Sequence, residues 1–174
     1  MRRLAFIFAA GAALLAPAAT LAVIATTGDG SLVVKNGAAP WNVAGEPDVP
    51  VVALTITGSV IGRVTDFGKI IIDPGPNTDA VPQVIGAGKA LDVKGSDTAQ
   101  MWIGGDFTFR AVGGKFTILV YGSHVNLVAA GTGKARVAGM PDTPTGDGRY
   151  SLNDSDFRSL PGTQTARLLI GSSG

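Results

Sequence analysis

The chain has 174 residues, 45% apolar and 16% charged, with 25 Gly, 10 Pro and no Cys. Glycine at about twice its average share, with charged residues well below theirs, excludes a coiled coil or helical bundle and indicates a turn-dense fold. Val, Ile, Leu and Phe are abundant enough to build a core, so the bulk of the chain is not disordered. The missing Cys rules out a disulfide framework and a lipid-modified N-terminal Cys.

Met1-Arg2-Arg3 opens an uncharged run from Leu4 to Gly28 that is interrupted by Pro17. Basic start, apolar stretch and the small residues of Thr20-Leu21-Ala22 make residues 1–22 a secretory signal peptide cut near Ala22. The rival reading is an uncleaved anchor reaching residue 27, because Leu4–Ala25 matches the roughly 20 residues that span a bilayer. Pro17 and the Ala-rich composition favour cleavage. Either way Arg2 and Arg3 stay inside and the rest lies outside the cytoplasmic membrane, secreted or anchored.

Cleavage leaves 12 of the 14 cations against 13 acids, a net charge of −1. That balance does not fit a nucleic-acid binder, and no polybasic run addresses anionic lipid. Membrane contact is expected only through the N-terminal segment. A domain of this size can stand on its own core.

Residues 23–50 read as a tether, punctuated by Asn36-Gly37, Pro40, Gly45, Pro47 and Pro50, with one short strand at Ser31–Lys35. A single β domain is expected over 51–171 and a flexible tail over 172–174. Val52, Leu54, Ile56, Val60 and Val64 share one parity, Asp66-Phe67-Gly68 reads as a turn, and Lys69–Asp73 as its return strand. Further short strands are expected at 89–94, 147–152 and 165–170.

The stretch 107–138 allows a register test, because facing residues of a hairpin must share a face. Turns at Gly113-Gly114, Gly122-Ser123 and Gly131-Thr132-Gly133 would set Phe109 opposite Ile118, Ile118 opposite Leu127 and Leu127 opposite Val137. Three turns then place one apolar set on one face of a four-stranded meander. The predicted fold is all-β, an antiparallel β-sandwich or open barrel, preceded by the N-terminal signal or anchor helix. Glycines every nine residues, at 104, 113, 122 and 131, also raise a parallel β-helix, against which the hairpin register argues.

The opposite face of the meander is the candidate partner surface: Arg110, Thr117, Leu119, Tyr121, Asn126, Val128 and Arg136. No catalytic constellation is evident. Gly-x-Ser-x-Gly is absent, none of the four Gly-Lys dipeptides is a phosphate loop, and the lone His124 lacks a partner for triad chemistry. No metal site is expected: zinc would need three carboxylates beside that one His. Asp142, Asp147, Asn153, Asp154 and Asp156 lack the alternating series of a calcium loop and read as turn residues. Trp41, Trp102, Tyr121 and Tyr150 are the candidates for a sugar-stacking platform, with Trp102 reading as core. No cofactor is expected.

Phe107-Thr-Phe109-Arg110-Ala-Val112-Gly113-Gly114, Gly131-Thr-Gly133, Gly148-Arg-Tyr-Ser-Leu-Asn153 and Leu160-Pro161 carry a resemblance over 107–161. The run resembles a group of small exported bacterial all-β domains of unknown function, departing from it at His124–Leu127. The resemblance implies export and an all-β fold, and no activity. The expected function is that of a non-catalytic, envelope-associated structural or protein-interaction module, with an envelope protein as partner. The alternatives are a module binding cell-wall polysaccharide and a hydrolase using paired Asp residues.

Overall fold

The computed structural model describes residues 29–42, 44, 47–76, 79–140, 148–162 and 164–171. The expected signal or anchor segment, residues 23–28, 43, 45 and 46 of the expected tether, Asp142, Asp147 and the tail at 172–174 lie outside the described residues. Eleven strands follow in order: β1 Gly30–Gly37, β2 Val52–Val64, β3 Gly68–Asp73, β4 Gln83–Ile85, β5 Leu91–Asp92, β6 Gln100–Gly104, β7 Phe107–Gly122, β8 Val125–Val137, β9 Arg149–Leu152, β10 Arg158–Ser159 and β11 Ala166–Ile170. Every pairing is antiparallel. The described residues contain no helix.

Three long strands form the centre, ordered β8-β2-β7, with β2 paired along its length to both neighbours. Each outer member of this trio has two partners on its far side. The first half of β8 pairs with β1 and the second with β11. Likewise β7 pairs with β4 at Thr108–Arg110 and with β3 at Thr117–Gly122. The sheet thus divides into two halves that share β8, β2 and β7.

The halves face each other. Phe107 pairs with Val64, yet a Cβ on Gly122, at the far end of β7, would lie only 3.3 Å from the Val64 side chain. Sixteen residues laid straight would separate those ends by about 50 Å at 3.3 Å per residue. The ribbon therefore doubles back.

Its fold line is a row of glycines: Gly58 is paired to Gly114 on one side and Gly131 on the other. Gly58 and Gly131 hold φ of +151° and +141°, backbone that L side chains rarely adopt. The result is a two-layer sandwich made from one sheet, with Ile56, Phe116 and Ile118 of one layer and Phe107, Phe109 and Leu127 of the other buried between.

This geometry corrects the meander. β7 runs through Gly113-Gly114 and β8 through Gly131-Thr132-Gly133, while β2 separates the two strands. Gly113, at φ +75°, is the extra residue of a bulge, skipped between the Gly58–Gly114 and Ser59–Val112 pairs. A bulge shifts parity by one, as a two-residue turn does, so Ala111 and Phe116 point inward in either arrangement. Only Gly122-Ser123 is a true connection, and it crosses between layers. Asp66-Phe67 likewise crosses layers, and β3 lies beside β7 instead of returning along β2. Within the span expected as a tether, β1 is an inner strand between β8 and β9, with Leu32 and Val34 fully buried.

Candidate functional site

Residues directly opposite on neighbouring strands share a face, so the register lists each outer surface row by row. On the layer built from β1, β4 and the first halves of β7 and β8, one row reads Val33, Val128, Ile61, Arg110, Gln83. Beside it run Asn126, Arg63, Thr108 and Ile85. These residues line a groove of about 610 Å³. Val33, Ile61 and Val128 form an apolar floor, Ile85 stands 70% exposed at the rim, and Lys35, Arg63 and Arg110 supply cations. Arg63 lies 3.9 Å from Asp106 and Lys35 sits 4.5 Å above the Phe157 ring, whereas no ion pair among the described residues involves Arg110.

On the other layer a row crosses seven strands: Arg167, Arg136, Ala53, Leu119, Ile71, Met101, Leu91. The next contains Leu169, Lys134, Thr55, Thr117 and Asp73. A second recess of about 770 Å³ lies over its cationic end.

The single partner surface expected from sequence is thus divided by the fold. Arg110, Asn126 and Val128 line the first groove, while Thr117, Leu119 and Arg136 line the second. Tyr121 belongs to neither: it is 9% exposed beneath Lys69, whose Nζ lies 4.2 Å from its ring centre. Sequence reasoning left out Val33, Ile61 and Arg167. Their outward parity was readable, but not their adjacency to Val128, Arg110 and Arg136, residues distant in the chain.

Lys69 also ties down the segment between β1 and β2. Its Nζ donates to Asp48 at 2.6 Å and lies 6.0 Å from the Trp41 ring. Trp41 stacks on Phe67 at 5.4 Å, and Asn42 N–H donates to Asp48 at 2.8 Å. The hydrogen bond from Lys69, aided by the Asn42 amide, holds the Asp48 carboxyl below its usual range. Burial pushes the Tyr121 phenol up, against the opposing pull of Lys69.

A depressed carboxylate contributes stability that is present above its unfolded pKa and lost as pH falls through its folded one. An NMR titration should therefore show Asp48 titrating on the acid side of ordinary aspartates. Lys69→Met should move its midpoint upward, and an unmoved midpoint would refute this coupling.

The other described candidates take these places in the fold. His124 sits in the crossover at φ +49°, half exposed, with Nδ1 3.9 Å from Asp66. Asn153 Oδ1 accepts from Ser31 N–H and Gly171 N–H, and Asp154 Oδ1 from the Ser31 hydroxyl, so both oxygens fasten β1 to the loop after β9, and Asn153 also holds the end of β11. Among the described residues no group of three metal-binding side chains converges. Trp102 is in the core, Tyr150 packs against it, and the Trp41 ring is shared by Phe67 and Lys69.

No family model, curated protein or solved structure matches this chain. Its own surface therefore carries the functional reading. The eleven strands hold ten Lys and Arg but only Asp73 and Asp92 of the acids, each at a strand end. Cations thus stand on the sheet faces and acids on the connecting ends, a segregation invisible in a near-neutral composition.

Proposed function

We propose that the chain is a non-catalytic binding module of the bacterial envelope, exported by its N-terminal segment, that grips a protein partner through the groove over Val33, Ile61 and Val128. The observation that carries this reading is the groove itself. An apolar floor with few convergent polar groups and a volume in the 300–1,000 Å³ range is the usual form of a ligand site. No acid lines the groove, and no ion pair among the described residues involves Arg110, so the lining selects a partner segment that is apolar and acidic. Export is supported by Arg2-Arg3, the apolar run and the resemblance of residues 107–161 to exported β-domains.

The polysaccharide reading has less support, because the Trp41 and Tyr121 rings are engaged internally by Phe67 and Lys69. The hydrolase reading lacks a converging Asp pair in the described groove linings.

The apolar anion anilinonaphthalene sulfonate serves as the probe. It should bind the full folded chain at one saturable site, and Ile61→Glu with Arg110→Glu should weaken binding at least tenfold without moving the melting temperature by more than a few degrees. Binding that survives both changes refutes the groove. Retention on cell-wall polysaccharide that falls with Trp41→Ala would favour the glycan reading instead.

A further inference from the structure

Arg136 and Arg167 stand directly opposite each other on β8 and β11, both exposed and on the same outer face. Like charges in this cross-strand position destabilise a sheet unless something neutralises them. Lys134 shares the face two residues away on β8, directly opposite Leu169 and Thr55. The remaining cross-strand neighbour of Arg136 is Ala53. No ion pair among the described residues involves any of the three cations, and no acid lines the recess they enter. Thr55 and Thr117 bring their hydroxyls within 3.4 Å of each other on the same floor.

From this arrangement we infer a second binding site, on the layer opposite the proposed partner groove, that takes a phosphate group between Arg136 and Arg167. Two guanidinium forks and an ammonium supply more donors and charge than one carboxylate can use, whereas a phosphate offers three acceptor oxygens and up to two charges. Bound phosphate would replace the repulsion between the two arginines with bidentate pairing. The apolar row that continues from the pair, Ala53, Leu119, Ile71 and Met101, suits a phosphate carried on an apolar body. The site lies apart from the groove of Val33, Ile61 and Val128, so either proposal can fail without the other.

The test is a titration of the full chain with sodium pyrophosphate at low ionic strength, followed through the arginine Nε–H resonances. Saturable shifts of the Arg136 and Arg167 signals are expected. Arg136→Gln with Arg167→Gln should weaken binding at least tenfold, and Arg158→Gln, an exposed arginine of β10 outside both recesses, should leave it unchanged. Vesicles of phosphatidylglycerol, with phosphatidylcholine as control, are then added as competitor. Displacement of pyrophosphate by the anionic vesicles alone assigns the phosphate to a lipid headgroup, and no displacement assigns it to a soluble ligand; both outcomes uphold the site. Absence of saturable shifts, or equal affinity in the double variant, overturns it.

Discussion

Gly131→Ala should destabilise the domain by on the order of 4 kcal/mol, near the extreme for one substitution. Gly131 holds φ +141°, and an added Cβ would collide with the Thr57 carbonyl oxygen while approaching the Gly58 Cα to 2.9 Å. The relation is mutual: a Cβ on Gly58, itself at φ +151°, would collide with the Ala130 carbonyl oxygen and come within 2.9 Å of the Gly131 Cα. Both obstacles are backbone on paired central strands, so no side chain can swing away. A methyl group must either part β2 from β8 or leave the φ that bends the ribbon, and both open the core between the layers.

Gly105→Ala supplies the control, since no atom lies within 4 Å of its Cβ position and no unusual φ holds it. Its cost should stay within about 0.5 kcal/mol. Urea unfolding midpoints compare the two, and a Gly131→Ala protein as stable as the control would remove the glycine corner from the account.

That corner also explains what the sequence conceals. Alternation finds the core: Phe109, Ile118, Leu127 and Val137, all expected on one face, are all buried. It does not find the path, because the extra residue Gly113 resets parity exactly as a tight turn would. Three reversals, or two long strands of which β7 is bulged, therefore bury the same side chains. Composition favours the turn, since Gly-Gly suits hairpins. Tertiary packing favours the bend, because β2 offers a partner along β7 from Phe107 to Val120.

The strand at Gly30–Gly37 is buried despite the Pro- and Gly-rich stretch that follows it, since local propensity carries no record of the β8 and β9 edges that receive it. The candidate surface suffers the same loss. Arg110 and Arg136 share outward parity in sequence, yet the fold line at Gly58, Gly114 and Gly131 sends them to different layers. Arg136 and Arg167, thirty-one positions apart, become neighbours only through the β8–β11 pairing.

Phe109→Ala should cost about 4 kcal/mol, the scale of removing a buried aromatic ring from a core that cannot fully collapse. Phe109 is 1% exposed, and its ring lies across β2 at Gly62, where a Cβ would stand 2.7 Å from the ring atom Cε1. Gly62 carries no left-handed φ, so its role is steric. Gly62→Ala alone should therefore destabilise by about 3 kcal/mol, through collision with the ring and with the Asn126 carbonyl oxygen, 2.8 Å from the new methyl.

The two substitutions share one volume. In the Phe109→Ala background the ring is gone and the Gly62→Ala methyl enters vacated space, with the Asn126 contact still to relieve. The double variant should thus be more stable than the sum of the single losses predicts, by at least about 1 kcal/mol. Denaturant unfolding of the four proteins in this cycle measures that coupling. Strict additivity would mean that the Phe109 ring does not rest on Gly62, and the packing of β7 across β2 in this layer would need another arrangement.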